Sequence, residues 1–257
     1  MIYKIDNKYL EVINETKEFD DLIFNRLLQF DTVENEIAEN YIKFKKDIVE
    51  IKAEQERIVL KNKIEKTDIY PIIINTVSKI VDDESNVLIH SVVVSKDNEG
   101  YLIIGEFGKG KTTLAKEFER NGYEINSSDQ TWLKLKGNKL YQVKGSVYGR
   151  FEGNPEIIDK NKTVKQVEIT KIIRIMGLCD NGDVSIKKVE NYYYKVKNLF
   201  HSCNWHSTVP IFTDEVSLFQ LKGITEKFLV QLTKTNIEYI DIRGDKKEIV
   251  KKIGDKK

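Results

Sequence analysis

The segment Gly105–Thr112 reads Gly-Glu-Phe-Gly-Lys-Gly-Lys-Thr, which satisfies the pattern G-x-x-x-x-G-K-[S/T] at every fixed position. The apolar run Tyr101–Ile104 before it predicts a buried strand, and Leu114–Asn121 after it predicts a helix that ends at Gly122. A strand, a glycine-rich loop and a helix in this order form an anion site, because the loop amides and the helix N-terminus face the same group. The sequence therefore predicts a phosphate-binding loop in a fold that combines helices and strands.

The residue types in this loop indicate which anion it suits. Glycines let backbone N–H groups approach a phosphate closely, Lys111 would place its charge on the β- and γ-phosphates, and the Thr112 hydroxyl would ligate Mg²⁺. We therefore predict that ATP, or another nucleoside triphosphate, binds here together with Mg²⁺. The residues expected to contact the nucleotide are Gly105, Glu106, Phe107, Gly108, Lys109, Gly110, Lys111, Thr112 and Thr113.

An imidazole and a carboxylate flank this loop in the sequence. His90 lies in the β-branched run Val87–Val94, fifteen residues before Gly105, and Asp129 follows the predicted strand Tyr123–Ile125 within four residues. Taken alone, an aspartate after a strand is often a turn or helix cap, and a histidine in an apolar strand is often a core residue. Their positions on either side of the loop are what make them candidates for chemistry.

Three pieces of the sequence resemble the HPr kinase/phosphorylase family: His90-Ser91, the Gly105–Thr112 loop, and Gly122–Ile125 followed by Ser128-Asp129. That family, which shares its nucleotide-binding core with phosphoenolpyruvate carboxykinases, has a strand ending in His-Gly or His-Ala-Ser and then the phosphate loop. A Gly-aromatic-x-hydrophobic strand that ends in Asp-Asp follows. The match covers residues 87–130 of this chain.

The resemblance implies an α+β, or mixed α/β, fold: a P-loop core with a mixed central sheet of the HPr kinase C-terminal domain type, preceded by a small β-rich N-terminal segment. The division falls at residues 1–67 and 68–257, and the first part is too short to be that family's full N-terminal domain, so the chain would be a compact variant. The implied activity is a Mg-ATP-dependent phosphotransferase acting on a hydroxyl, either a serine of a peptide or protein or a small hydroxyl metabolite. Asp129 would be its catalytic and metal-binding carboxylate, and His90 would orient it.

Elementary chemistry agrees with these roles, since a hydroxyl nucleophile needs a carboxylate to accept its proton and a carboxylate at Mg²⁺ needs an orienting neighbour. Two departures from the family leave an alternative open. Ser128 stands where the first acid of the Asp-Asp pair is expected, and Thr113 stands where an acid often follows the loop. The alternative is a nucleotide-binding regulatory or assembly module without phosphoryl transfer. Simple hydrolysis ranks last, because no later strand-end acid and no arginine finger are recognisable.

Arginine is scarce in this chain, so each one is worth locating. Arg150, in the glycine-containing segment Lys144–Arg150, is a candidate for neutralising charge on the transferred phosphoryl group, and Arg174 is a weaker candidate. For both, an ordinary surface ion pair is the competing interpretation. His201–His206 contains His and Cys without the usual pair-loop-pair spacing, so we do not predict structural zinc.

Composition limits the partners. Lys plus Arg number 42 and Asp plus Glu 41, which gives a net charge of +1 and argues against a nucleic-acid or membrane-surface binder. Met1–Asp6 lacks the apolar region of a signal peptide, no apolar run is long enough to span a bilayer, and two cysteines are too few for a disulfide framework. We therefore expect a cytoplasmic protein whose partner is the hydroxyl acceptor, and leave association into a homo-oligomer open.

Elsewhere the patterns predict a helix with Asp68 as its N-cap, a strand over Val164–Ile175 and a later strand over Ile237–Ile242. Helices are predicted over Lys187–Phe200 and Thr213–Lys234.

Overall fold

The alternating apolar residues near the N-terminus build a six-stranded sheet in the computed structural model, which describes residues 1–61, 63–151, 154–163, 165–203 and 215–254. Its strand order is β3-β1-β2-β4-β5-β6, with β2 and β4 parallel and the other neighbours antiparallel. The elements are β1 Ile2–Ile5, β2 Lys8–Asn14, the helix α1 Asp20–Asn25, β3 Asp31–Val33, β4 Asn40–Lys45, β5 Ile48–Ala53 and β6 Glu56–Leu60.

The helix α2, Lys66–Val81, covers one face of this sheet. It begins two residues before Asp68, so the prediction of Asp68 as N-cap was wrong: Glu65 is the N-cap, and the Asp68 carboxylate accepts a hydrogen bond from the Glu65 backbone N–H at 2.8 Å. This reciprocal arrangement satisfies helix-end donors that would otherwise lack partners. It shifts the start of the helix without changing which face is apolar.

One apolar core joins the first sheet to the rest of the chain through α2. This core contains Ile42 and Ile51 of the sheet and Ile73 of the helix. It also contains Leu88 and Trp132, which belong to a second sheet described below. Burying such side chains contributes roughly 1.5–3 kcal/mol each. The first sheet is thus packed against the part of the chain that carries the glycine-rich loop, and the division at residue 67 stays a prediction.

The second sheet is larger and also mixed. Its main strand order is β10-β8-β9-β15-β12-β11-β7, while β17 pairs in parallel with β15, and β16 pairs with β17. Its strands are β7 Asn86–His90, β8 Val92–Lys96, β9 Glu99–Ile104, β10 Glu124–Ser127, β11 Gln130–Lys136, β12 Lys139–Gly145, β15 Val167–Cys179, β16 Ser185–Lys188 and β17 Glu238–Asp245. A separate hairpin, β13 Tyr148–Phe151 with β14 Asn154–Ile157, and the short helix α4 Lys160–Thr163 precede β15.

Helices cover both faces of the second sheet. These are α3 Lys111–Arg120 and α7 Lys246–Gly254 on one face, and α5 Tyr192–Cys203 and α6 Glu215–Leu232 on the other. Leu102 and Ile104 of β9 pack towards α5 and α6, whereas Ile103 packs towards α3 and α7, because successive side chains of a strand face opposite sides. The mixed α and β architecture with mixed sheets agrees with the predicted fold class at that level.

Two segments differ from the sequence-based expectation. The helix predicted over Lys187–Phe200 begins only at Tyr192, because Ser185–Lys188 pairs with β17 as a strand. The strand predicted over Val164–Ile175 runs from Val167 to Cys179. None of the helices in the described ranges is long and apolar enough to cross a membrane.

Candidate functional site

The Gly105–Thr112 loop connects the buried strand β9 to α3, as its sequence predicts. Gly108 and Gly110 have φ of 75° and 92°, a region that residues with a Cβ rarely adopt. Gly110 is the N-cap of α3 and provides no side-chain cap, so the first N–H groups of that helix are not capped by a side chain. Thr112 and Thr113 lie half-buried in its first turn. The loop therefore presents backbone donors and a helix N-terminus together.

Lys111 folds back into this loop. Its side chain is almost fully buried, and Nζ donates hydrogen bonds to the carbonyl oxygens of Gly105 at 2.9 Å and Glu106 at 3.1 Å. Burial lowers the pKa of Lys111 to about 8, and the charge of Asp129 acts in the opposite direction. A buried ammonium among loop carbonyls and uncapped amides is a donor set that fits a phosphate group.

Asp129 sits at the turn between β10 and β11, with φ of 90°. Its Oδ1 lies 3.4 Å from Nε2 of His90, and its Oδ2 accepts a hydrogen bond at 2.9 Å from the guanidinium of Arg26. Burial acts to raise the pKa of Asp129, but the contacts with His90 and the charge of Arg26 outweigh it and hold that pKa below its ordinary value. The positive φ of Asp129 is a strained backbone conformation for a residue other than glycine, and such conformations cluster at functional sites.

His90 ends β7 and is buried, directly opposite Gln130 in the sheet register. Burial lowers the pKa of His90 and so favours the neutral imidazole, while the hydrogen bond to Asp129 acts on that pKa in the opposite direction. The structure thus brings His90 and Asp129 together and places both within range of the charge of Lys111.

A buried hydroxyl network fixes the turn that carries Asp129. Ser91 donates to Thr131 at 2.8 Å, Thr131 and Ser127 share a hydrogen bond of 2.5 Å, and Ser127 accepts from the backbone N–H of Val93 at 2.9 Å. Since these hydroxyls join three strands around the turn, they hold the aspartate in a defined position.

Arg26 is the site residue that the sequence did not reveal. It follows α1 in the first sheet's segment, 103 residues before Asp129, and its guanidinium carbon lies 4.3 Å from the ring centroid of Tyr70 and 4.8 Å from that of Tyr148. Tyr70 also hydrogen-bonds to Asp129 and accepts from Gln130 at 2.6 Å. The one sequence signal for Arg26 was the scarcity of arginine.

The two candidate arginines named from the sequence lie elsewhere. Arg150 is on the exposed side of β13, and among the described residues no contact joins it to Asp129 or Lys111. Arg174 is bound by both carboxylate oxygens of Asp241, at 2.8 and 2.9 Å, and also donates to Asn198 and to the hydroxyl of Tyr194.

Arg174 forms one wall of a cavity of about 340 Å³ beside the loop. Its other lining residues include His90, Phe107, Met176, Asn198 and His201. The partners of Arg174 occupy its donors, so the charge of this arginine is largely compensated by Asp241. This volume lies at the lower end of the range of small-molecule sites.

Metal binding depends on few protein groups here. Within the described ranges no cluster of three or more His, Cys, Asp or Glu residues could hold a metal ion, and part of the His201–His206 stretch lies outside them. Thr112 and Asp129, the two residues predicted to hold Mg²⁺, would supply two oxygens. That set fits Mg²⁺, which protein sites commonly bind through one or two side chains while substrate phosphates and water supply the remaining ligands.

Ser128, the departure from the Asp-Asp pair, is fully buried. Its backbone N–H and its Oγ both donate to the carbonyl oxygen of Ser146, at 3.1 and 3.2 Å. A Cβ added to Gly149 would lie 2.5 Å from this Oγ, so the backbone of the glycine-containing segment packs directly on the serine. At this position the chain has space for a hydroxyl and none for a carboxylate.

We expect Ser128→Asp to destabilise the protein by about 2 kcal/mol or more, because it places a larger, charged side chain in a closed polar pocket. Ser128→Ala, which only removes the hydroxyl, should cost about 1 kcal/mol. Urea unfolding of both variants measures the difference. Equal stability of the two would show that the pocket accommodates an acid.

Comparison with known proteins gives limited support. No family model and no curated protein sequence match the chain. Among solved structures, it is similar to the Hpr(Ser) kinase/phosphatase from Coxiella burnetii, with 25% sequence identity and a TM-score of 0.31 over 40% of this chain and 70% of that one. At this TM-score it is a weak structural neighbour.

Proposed function

We propose that this chain is a Mg-ATP-dependent phosphotransferase that acts on a hydroxyl and is related to the HPr kinase/phosphorylase family. The observation that supports this most is that the buried Lys111, in its loop of uncapped amides, lies within electrostatic range of the Asp129 carboxylate, which His90, Arg26 and Tyr70 hold. An anion site beside an ionised carboxylate has the parts that phosphoryl transfer needs.

In the proposed reaction, the triphosphate lies along the Gly105–Thr112 loop, where Lys111 and the loop amides bind the β- and γ-phosphates. Asp129 accepts the proton of the acceptor hydroxyl, and the hydroxyl oxygen bonds to the γ-phosphorus. The bond from that phosphorus to the bridging oxygen breaks at the same time, and the nucleoside diphosphate leaves. Mg²⁺, held by Thr112 and Asp129, would neutralise charge on the phosphates when bound. His90 keeps the carboxylate oriented.

The acceptor in this proposal is a serine of a peptide or protein, or a small hydroxyl metabolite, with the chain in the cytoplasm and residues 68–257 as the kinase-like part. The cavity that includes His90 and Phe107 adjoins the loop and offers space for the hydroxyl-bearing part of such an acceptor. Neither a nucleic acid nor a membrane is required as a partner.

A second candidate is a nucleotide-binding regulatory or assembly module without phosphoryl transfer. Ser128 favours this second candidate, because a serine stands where the related family has the first of two acids. Its burial leaves no space for a carboxylate at this position. This candidate predicts saturable nucleotide binding, no turnover with any acceptor, and partner binding that changes with nucleotide.

The deciding experiment follows transfer of labelled γ-phosphate from ATP and GTP to serine peptides, protein acceptors and small hydroxyl compounds, with calorimetry of nucleotide binding beside it. We expect Mg²⁺-dependent binding and transfer to one acceptor class. Binding without transfer across the panel would support the regulatory module, and absence of nucleotide binding would overturn both candidates.

A further inference from the structure

The guanidinium of Arg26 occupies a slot between two aromatic rings next to Asp129. Tyr70 of α2 and Tyr148 of β13 flank it at 4.3 and 4.8 Å, so with Asp129 three distant parts of the chain hold this one side chain. A cation between two aromatic faces is stabilised by the ring quadrupoles and restricted in its motion. The slot therefore positions Arg26 before any substrate binds.

Most donors of this guanidinium have no partner among the residues that the structure describes. An arginine side chain carries five N–H groups, and in the described part of the chain the only side-chain hydrogen bond of Arg26 is the one to Asp129. The side chain is 20% exposed, so the other donors are partly shielded from bulk water. Arg26 is bonded to Asp129, whose charge in turn acts on Lys111 of the loop, and a shielded cation with such donors suits a second anionic group.

The remaining arginines of the chain do not offer this. Arg174 is saturated by Asp241 and its other partners, while Arg57, Arg150 and Arg243 are exposed. Arg120 bonds to Glu117 at the far end of α3. Of the six arginines, only Arg26 is hydrogen-bonded to the candidate catalytic carboxylate.

We infer that Arg26 binds the γ-phosphoryl group of the nucleoside triphosphate, donating to its oxygens while one N–H stays on Asp129. The inference rests on the proposed function and extends it: the segment before residue 67 supplies a substrate-binding residue, so the first sheet is part of the site. Because a diphosphate lacks the γ-phosphoryl group, Arg26 also makes the site selective for triphosphate over diphosphate.

The test compares the affinities of the Mg²⁺ complexes of ADP and of its non-hydrolysable imido triphosphate analogue, measured by calorimetry. In Arg26→Ala, triphosphate affinity should fall roughly tenfold or more, as loss of one charge-assisted contact implies, with diphosphate affinity changed less than about twofold. Arg57→Ala, which removes the same charge from an exposed position of β6, should change neither.

Two additions separate binding from folding. Arg26→Lys keeps the charge but loses the planar fork, so its triphosphate affinity should fall between the wild type and Arg26→Ala. Guanidinium ion, at concentrations far below those that unfold proteins, should refill the slot in Arg26→Ala and restore part of the triphosphate affinity. If Arg26→Ala does not fold, the comparison of triphosphate and diphosphate in Arg26→Lys decides.

Equal losses for triphosphate and diphosphate, or no loss, would overturn the role of Arg26 and leave the nucleotide site intact. Failure of the wild-type protein to bind either nucleotide would instead overturn the proposed function, and the role of Arg26 with it.

Discussion

Lys111→Ala is expected to weaken nucleotide binding by about 100-fold or more. The ammonium lies inside the loop, 2.9 and 3.1 Å from two backbone carbonyl oxygens, so it is already at the place where phosphates would be bound. Two charge-assisted hydrogen bonds to phosphate oxygens contribute about 3 kcal/mol together, which corresponds to this factor. Calorimetry with the Mg²⁺ complex of the triphosphate measures the loss.

Lys139→Ala is the control for this variant. Lys139 begins β12, outside the loop, and its side chain is 59% exposed and lies 2.8 Å from the carboxylate of Glu168. An exposed pair of this kind contributes little, so its removal should change nucleotide affinity less than about threefold. Similar affinities in the two variants would mean that the buried ammonium is not the phosphate-binding group.

The sequence correctly predicted the strand, the loop and the helix around Gly105–Thr112, and this is local structure. The geometry of the loop depends on Gly108 and Gly110 at fixed positions and on the strand and helix next to them, and all of this is encoded within a few residues. The approach of His90 to Asp129 was expected from a family resemblance in their spacing. In the structure it follows from the antiparallel pairing of β7 with β11, which places Gln130 opposite His90.

The parts that the sequence did not predict depend on contacts between distant segments. Arg26 reaches Asp129 only because α2 packs the first sheet against the second, and no periodic pattern in either segment specifies that contact. The burial of Ser128 depends in the same way on the close approach of Gly149, whose missing Cβ leaves room for the serine hydroxyl. The sequence shows the substitution at Ser128, whereas only the fold shows that the pocket excludes an acid.

The contacts between distant segments favour the ionised form of Asp129. Arg26 and His90 each hold one oxygen of its carboxylate. The positive charge of Arg26 lowers the pKa of Asp129, and Ser128 beside it adds no like charge that would raise that pKa. Both features keep Asp129 in the form that can accept a proton.

Asp129→Asn should reduce phosphoryl transfer by a factor of about 10²–10⁴ while nucleotide affinity stays within about fivefold, since general-base catalysis typically contributes that factor. The amide keeps the size of the carboxylate, and its oxygen can still accept the hydrogen bond from Arg26, but it cannot take a proton from the acceptor. Transfer of labelled γ-phosphate and calorimetry of nucleotide binding, measured on the same preparation, separate the two effects.

Asp97→Asn makes the same chemical change at an exposed turn between β8 and β9, where φ of 52° suits asparagine as well as aspartate. It should transfer phosphate at the wild-type rate, because no part of the proposed site touches that turn. Undiminished transfer in Asp129→Asn would remove Asp129 from the role of base. A fall of the same size in nucleotide affinity and in transfer would instead show that Asp129 acts through Mg²⁺ and nucleotide binding alone, without a role as base.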